Sequence, residues 1–384
     1  MRRNIPLAWL QLKREKLRLL VALAGVAFAV ILIFMQLGFR SAMFKSAVRF
    51  HEALDGDLFL LSPTFDFLPQ PKGFSRRRLH QALAWPGVSG VTPIYLGLTL
   101  WKNPDTGKSR SIFLIGIDPA DPGIRLPGVD GQCDRIRRSD VVLFDRDSRP
   151  EYGPIPQRLA AEGEVAGEMA NRRVFVQGLF TFGTSFGIDG SVLTSEMNFL
   201  RIDPSRPLGL IDVGVVRLVP GADAAATRDA MRAALPNDVL VLTRDDFIAR
   251  EQHYWDTNTP IGYVFTFGVI IGFAVGAIIV YQILFADVCD HLAEYATLKA
   301  MGYPDRYLFG VVFEEAIILA VLGFLPGLAI CAYLYRVAGE ATRLPMQLTV
   351  STAAAVLALA VVMCCLSGAI ALRKISSADP AEIF

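Results

Sequence analysis

Residues 294–304 of the chain read EYATLKAMGYP, and this short polar stretch decides how the rest of the chain is organised. It lies between two long apolar runs, 261–285 and 307–335. Gly302 and Pro304 interrupt any helix that forms here. The backbone groups released at such a turn need water or protein partners, so the stretch cannot face lipid. We therefore expect a water-exposed segment between two membrane spans.

Four uncharged windows predict four membrane spans. Each has at least 20 residues, about the length that a helix needs to cross ~30 Å of hydrocarbon. The windows are 19–39, 257–286, 316–335 and 344–372. The block 40–256 has no such window and holds 26 of the 38 Lys and Arg residues and 27 of the 37 Asp and Glu residues. A soluble domain of ordinary size is therefore inserted between the first and second spans.

Basic residues near the first span predict the orientation of the chain. Six basic residues precede residue 19, against the single acid Glu15. An excess of Lys and Arg marks the cytoplasmic side of a span. Both termini and the polar stretch are then cytoplasmic, and the inserted domain is extracytoplasmic. No cleavage pattern follows Gly38, so we expect the first span to remain as an anchor.

The predicted fold is an α-helical membrane protein with four transmembrane helices and a large α+β extracytoplasmic domain between the first and second. An amphipathic pattern before the first span predicts an interfacial helix, and a second one after it predicts a helical stalk. The predicted segments are the interfacial helix 1–17, first span and stalk 18–55, inserted domain 56–242, stalk and second span 243–286, cytoplasmic helix 287–306, third span 307–335, extracytoplasmic loop 336–343, fourth span 344–372 and cytoplasmic tail 373–384.

Within the inserted domain, β-branched and aromatic runs bounded by Pro and Gly predict strands. They are 57–61, 91–101, 112–117, 141–144 and 174–179. A helix over 75–84 begins with a serine cap, and residues 213–242 predict a β-α-β unit. The stretch from about 125 to 205 predicts a β-rich subdomain. Thr243 and Asp246 have the spacing of a capping box, which starts a helix that leads into the second span. Both connections to the membrane are then helical and stiff.

Glycines at four-residue spacing predict close helix packing in the second and third spans. Small residues let helix backbones approach each other in lipid, where burial from water cannot drive association. The residues are Gly268, Gly272 and Gly276 in the second span and Gly323 and Gly327 in the third. The partner helix belongs either to the same chain or to a second copy.

Glu314 and Glu315 lie about two turns into the third span. A carboxylate at that depth is costly and should face protein or water. One hypothesis is that the pair binds a proton or an ion. The alternative is that both lie near the headgroups and pair with Lys299, Arg306 or a partner subunit.

Several function classes lack support in the sequence. The formal net charge of +1 argues against a nucleic-acid partner. Gly107-Lys108-Ser109 lacks the first glycine of a phosphate-binding loop and precedes a predicted strand, which indicates a hairpin turn. The glycine-rich residues 183–190 also read as turns. The four histidines are dispersed along the chain. We therefore expect no catalytic, metal or cofactor-binding site in this chain.

The whole layout resembles the MacB/FtsX-like permeases of ABC transporters. The segment EYATLKAMG at 294–302 resembles that family's motif between the second and third spans, as do Glu315-Ala316 with the glycines that follow, and Arg373-Lys374 before DPAE. Three further phrases resemble the DevC-type branch, whose members include heterocyst glycolipid exporters. They are DRDSRPEYG at 145–153, GLFTFGTSFG at 178–187 and FIAREQ at 247–252.

The resemblance implies a homodimeric permease subunit of the bacterial inner membrane. A separate ABC ATPase, which holds ATP and magnesium, would drive export of a lipid, glycolipid or other hydrophobic substrate through an HlyD-like membrane-fusion adaptor and an outer-membrane channel. The ATPase-coupling residues would be Glu294, Leu298, Lys299, Ala300, Met301, Gly302 and Tyr303. The alternatives are an FtsX-like signal transducer that activates a cell-wall hydrolase without transport, and a membrane sensor with a ligand-binding outer domain.

Overall fold

The computed structural model describes residues 16–291, 297, 301 and 304–376. The chain divides into two compact units. The membrane unit comprises Met1–Ala42, Ile261–Ala341 and Met346–Phe384, and the inserted domain comprises Met43–Pro260 and Thr342–Pro345.

The helices and strands of the described residues are numbered in chain order. The helices are α1 (Lys16–Ala53), α2 (Arg77–Leu83), α3 (Ile155–Glu162), α4 (Glu196–Ile202), α5 (Ala224–Ala234), α6 (Arg244–Thr257), α7 (Pro260–Asp290), α8 (Asp305–Thr342) and α9 (Val350–Ser376). The strands are β1 (Leu58–Leu61), β2 (Phe74–Ser75), β3 (Val88–Lys102), β4 (Ser109–Ile117), β5 (Val141–Asp145), β6 (Val165–Met169), β7 (Arg172–Phe180), β8 (Ser191–Ser195), β9 (Leu210–Ile211), β10 (Val213–Leu218) and β11 (Leu240–Thr243).

Four helices, α1, α7, α8 and α9, are long and apolar enough to cross a membrane. The predicted fold class is therefore confirmed in its four spans and in the α+β domain between the first and second. The expected helical stalk is also present, because α1 continues without a break to Ala53. The predicted interfacial helix lies outside the described residues except for its last two positions.

Three segment predictions differ from the structure. The sequence predicts a fourth span from residue 344, whereas α9 begins at Val350 and residues 343–349 are not helical. The third span continues as helix to Thr342, so residues 336–342 are helical and only Arg343 of the predicted loop is not. The second connection is not one continuous helix, because residues 258–259 form a bend between α6 and α7. Pro260 explains why a new helix starts there. Its ring cannot continue the preceding helix, but the missing N–H costs nothing in a first turn.

The inserted domain is built on a sheet with strand order β11-β1-β10-β3-β4-β8-β5-β7-β6. The long strand β3 joins its two parts. Its first half pairs with β10 between Val88 and Ile94, and its second half pairs with β4 between Tyr95 and Lys102. The last residues, Trp101 and Lys102, also pair with β6. The strands from β3 to β6 therefore close into a ring, and the predicted β-rich subdomain is continuous with the rest of the sheet.

The predicted strands are present, each extended or shifted by a few residues. The β-α-β prediction also holds: β10 and β11 flank β1, and both run antiparallel to it. Asp223 caps α5 by accepting the N–H groups of Ala225 and Ala226. The cap position of α2 is Arg76, one residue later than predicted, and its side chain makes no capping hydrogen bond. The Ser75 hydroxyl nevertheless accepts the N–H of Arg77 at 3.4 Å.

Side chains alternate between the two faces of the sheet, and each face has its own apolar core. Along β3, Ile94 and Leu96 join one cluster, whereas Tyr95 joins the other. The cluster with Tyr95 includes Phe199 of α4, whose ring lies 5.6 Å from that of Tyr95. The second cluster buries Phe50 of α1. The outer end of α1 is thus part of the core of the inserted domain.

The predicted capping box at the start of α6 is confirmed. The Thr243 side chain accepts the N–H of Asp246, and the Asp246 carboxylate accepts the N–H of Thr243. The box fixes the start of a helix that carries a buried carboxyl, Glu251, which is 2% exposed. Glu251 accepts hydrogen bonds from Trp255 Nε1 at 2.8 Å and from the N–H of Leu68 at 3.0 Å.

Burial raises the pKa of Glu251 from 4.5 to about 7, against the two hydrogen bonds that favour the charged form. Because the pKa is raised on folding, the stability that Glu251 contributes is complete below about pH 4.5 and is lost as the pH rises through about 7. The nearest titratable partner is His51, whose Nε2 lies 3.7 Å from Glu251 Oε2.

We expect the inserted domain to lose roughly 1–3 kcal/mol of unfolding free energy between pH 5 and pH 8 through Glu251. The change Glu251→Gln removes this titrating group, so the thermal midpoint, followed by tryptophan fluorescence of the full chain, should fall less between pH 6.5 and pH 8. Below pH 6.5 the buried His51, whose pKa burial lowers to about 3, contributes a pH dependence of the opposite sign. Glu52→Gln is the control, because Glu52 is exposed on α1. Equal pH dependence in wild type and Glu251→Gln would contradict the assignment.

Candidate coupling site and helix packing

Of the predicted ATPase-coupling residues, the structure describes only Met301. Met301 is 63% exposed, and its N–H bonds to the carbonyl of Thr297 at 3.0 Å, as in one helical turn. The other predicted coupling residues lie outside the described residues, and their role stays a prediction. They are Glu294, Leu298, Lys299, Ala300, Gly302 and Tyr303.

The glycine face of α7 lies directly on α1. A Cβ at Gly268 would collide with the Gln36 side chain, and one at Gly272 would lie 3.3 Å from the Cβ of Leu32. At Gly276 it would lie 2.5 Å from the Cβ of Ala29. Contacts move backwards along α1 as α7 advances, so the two helices are antiparallel. Glycine at these positions lets the two helices meet at backbone distance.

The glycines of α8 lie on α1 as well. An added Cβ at Gly323 would lie 2.6 Å from the Cβ of Val26, and one at Gly327 would lie 2.7 Å from Cγ1 of Val30. Tyr335 of the same helix donates a hydrogen bond of 2.5 Å to the carbonyl of Phe34. The partner left open by the sequence is thus α1 of the same chain, for both glycine faces.

A group of charged side chains lies where α1 begins and α7 ends. Arg18 donates to Asp290 at 2.5 Å, and its other terminal nitrogen lies 3.7 Å from Asp287. His291 lies 3.7 Å from the same Asp287 carboxylate. The two glutamates of α8 separate here, because Glu314 is exposed and Glu315 is fully buried. The structure therefore brings only Glu315 to this group.

Residues 181–190 form a loop of the inserted domain that contacts several segments distant from it in the sequence. The buried carboxylate of Asp145 holds it by accepting the N–H groups of Phe182 at 2.9 Å and Gly183 at 3.0 Å. Burial raises the pKa of Asp145, while these N–H groups oppose the shift. Two of the phrases that resemble the DevC-type branch, 145–153 and 178–187, therefore form one structural element.

Three segments that lead to membrane spans contact loop 181–190. Arg49 of α1 donates to the carbonyl of Phe182 at 2.5 Å. Thr184 donates to the carbonyl of Arg343, in the segment after α8, at 3.0 Å. A Cβ at Gly187 would lie 3.4 Å from the Trp255 ring of α6. The contacting residues are too far apart in the sequence for a local pattern to predict these contacts. The glycines of the loop are the one sequence feature that indicates a close approach of other segments to its backbone.

In the described part of the chain, no three His, Cys, Asp or Glu side chains are grouped so that they could hold a metal ion. The expectation that ATP and magnesium bind a partner chain stays a prediction.

The packing of α7 on α1 predicts that Gly276→Leu destabilises the membrane unit. The larger side chain has no room beside Ala29 and Met363, and overpacking of this kind costs roughly 1–3 kcal/mol. The thermal midpoint of the full chain in detergent should therefore fall. Gly310→Leu is the matched control, because no described atom lies within 4 Å of a Cβ at that position. Equal midpoints for the two variants would contradict the packing described.

A comparison with protein-family models gives a match for one part of the chain. Residues 264–380 match the family model described as FtsX-like permease C-terminal. No curated protein matches the chain.

Two solved structures resemble about half of the chain distantly. The periplasmic region of MacB from Actinobacillus actinomycetemcomitans is 12% identical, with a TM-score of 0.35, over 53% of this chain and 95% of that one. The extracellular domain of the ABC-type transporter YknZ from Gram-positive bacteria is 12% identical, with a TM-score of 0.34, over 49% and 99%. Likenesses this distant assign neither fold nor function. The family match covers residues 264–380, the part of the chain that contains most of α7 and all of α8 and α9.

Proposed function

We propose that this chain is the permease subunit of an ABC exporter of the MacB/FtsX-like type, DevC branch. It would couple ATP binding and hydrolysis in a separate ATPase to movement of the inserted domain, which expels a lipid, glycolipid or other hydrophobic substrate. A membrane-fusion adaptor, an outer-membrane channel and a second copy of the chain complete the proposed assembly. The family match over α7, α8 and α9 supports the permease role.

The order of the helices supports different roles for the two sides of the membrane, with the inserted domain on one side and the stretch 291–304 on the other. The inserted domain follows the span of α1 and precedes that of α7, whereas the stretch 291–304 follows α7. If α7 crosses once, the domain and the stretch lie on opposite sides. The basic N-terminus favours the cytoplasm for the stretch. An exposed Met301 there is accessible to a soluble partner.

The proposed mechanism rests on one observation. Loop 181–190 is contacted both by α1, the helix of the first span, and by the segment that follows α8, the helix of the third span. Arg49 belongs to the same unbroken helix as the span residues of α1, and Arg343 follows α8 directly. Movement of either helix would act on the same loop. The bend at 258–259 makes the third connection less rigid than the sequence predicted, so α1 is the main transmitter in this proposal.

The coupling role is tested with Lys299→Glu and Gly302→Pro, separately and combined. The tagged full chain is purified from its own cells in mild detergent, and the ATPase activity that co-purifies is measured per permease. We expect the combined variant to retain less than about a tenth of it, the effect of roughly 1.4 kcal/mol or more of lost binding free energy. The proline would remove the backbone freedom that glycine gives the turn after the predicted cytoplasmic helix, and the reversed charge would repel the ATPase surface.

Lys108→Glu is the control, since Lys108 is an exposed lysine in the turn between β3 and β4. Gel filtration must give the same elution for all variants, so that a lost partner is not confused with a misfolded chain. Undiminished ATPase activity in the combined variant would contradict the coupling role. Co-purification of a cell-wall hydrolase in place of an adaptor would favour the signal transducer over the exporter.

A further inference from the structure

Glu315 occupies an unusual position in the membrane unit. It is fully buried on α8, and neither of its carboxylate oxygens accepts a hydrogen bond from any N–H or O–H donor of the described residues. A buried carboxylate that accepts no hydrogen bond is costly in a protein, and more so within a membrane. Such a group requires a ligand or a change of charge.

The surroundings of Glu315 limit what that ligand can be. Glu315 lines a cavity of about 10 Å³ together with Arg18 of α1 and Asp287 of α7, and this is the space of about one water molecule. The remaining wall is apolar and consists of Leu19, Ala22, Ile283, Leu284 and Leu319. No organic substrate fits there. The candidates are a proton, a single water molecule or a small cation.

The charges that face Glu315 leave a negative excess. α1 contributes Arg18, which bonds to Asp290 at 2.5 Å and approaches Asp287 at 3.7 Å. α7 contributes Asp287, Asp290 and His291. The described side chains of α9, which end at Leu372, include no charged group. Among the described side chains at this end of the helices, one arginine therefore stands beside three carboxyl groups, and it contacts two of them.

We propose that Asp287 and Glu315 form a proton-binding site, in which the two carboxyl groups share one proton. The Asp287 carboxyl lines the same small cavity as Glu315 and lies close enough to act on it electrostatically. Two carboxyl groups can form a hydrogen bond with each other only when one of them carries a proton, which it donates to the ionised partner. The shared proton removes one negative charge from the cavity and leaves the other beside Arg18.

The site joins the three helices that pack together in the membrane unit. Loss of the proton would place two like charges on α7 and α8 within the same small cavity, and their repulsion would separate the two helices. The occupancy of the site therefore determines how closely these helices approach at the end near residues 287–305.

Infrared difference spectroscopy of the full chain in lipid vesicles tests the proposal. The spectrum of Glu315→Gln is subtracted from that of the wild type at pH 7, in choline chloride without sodium. We expect the wild type to have one additional carbonyl band of a protonated carboxyl group per chain, and this band should shift in D₂O and disappear as the pH is raised. The band should shift in Asp287→Asn, because the protonated carboxyl then has a neutral amide as its neighbour in place of an ionised carboxylate.

Glu314→Gln is the matched control, since the neighbouring glutamate is exposed and its substitution should leave the band in place. A difference spectrum with only ionised-carboxylate bands would overturn the proposal and favour an ion pair, for example with Lys299. A band that disappears on exchange of choline for sodium would overturn it in favour of a bound metal cation. Glutamine resembles the neutral acid in shape, so the Glu315→Gln chain should elute as wild type in gel filtration.

Discussion

The close approach of α7 and α8 to α1 is the interaction on which the membrane unit depends. Helices in lipid cannot be held together by burial from water, so they rely on van der Waals contact at short range. Both glycine faces are used for this contact, Gly272 and Gly276 on one side of α1 and Gly323 and Gly327 on the other. A displacement of either helix must therefore displace α1 or open the interface.

The same helix α1 extends beyond the membrane unit and contributes Phe50 to the core of the inserted domain. Its Arg49 reaches loop 181–190, which the buried carboxylate of Asp145 holds in place. A helix packed tightly at both ends transmits displacement, whereas a bend such as 258–259 absorbs part of it. This asymmetry distinguishes the two connections and gives α1 the larger part in the proposed coupling.

Local sequence patterns correctly predict the features that depend only on residues close together in the chain. Window length gave the four spans, and the spacing of Thr243 and Asp246 gave the capping box. The ring closure between β3 and β6 could not be predicted, because Trp101 pairs with Met169 across 68 residues. Nor could the sequence say which of Glu314 and Glu315 is buried. Adjacent helix positions point about 100° apart, and the rotation of α8 is set by its neighbours.

The last residue of α8 and the contacts of loop 181–190 could not be predicted from the sequence either. Residues 336–342 contain charges and a glycine, which suggested a loop, but a helix can continue into water when its backbone bonds remain satisfied. Loop 181–190 carries glycines that read as turns. Their positions matter because Arg49, Arg343 and Trp255, distant in sequence, come together on that loop.

The proposed function requires that the inserted domain and the stretch 291–304 lie on opposite sides of the membrane. Its most direct test is the labelling of single cysteines by a membrane-impermeant maleimide, in a chain whose five native cysteines are replaced by serine. The positions are the exposed residues Ser139 and Thr297. With the proposed topology, Ser139→Cys is labelled in intact cells, and Thr297→Cys is labelled only after the membrane is permeabilised. Labelling of both residues from the same side would contradict it.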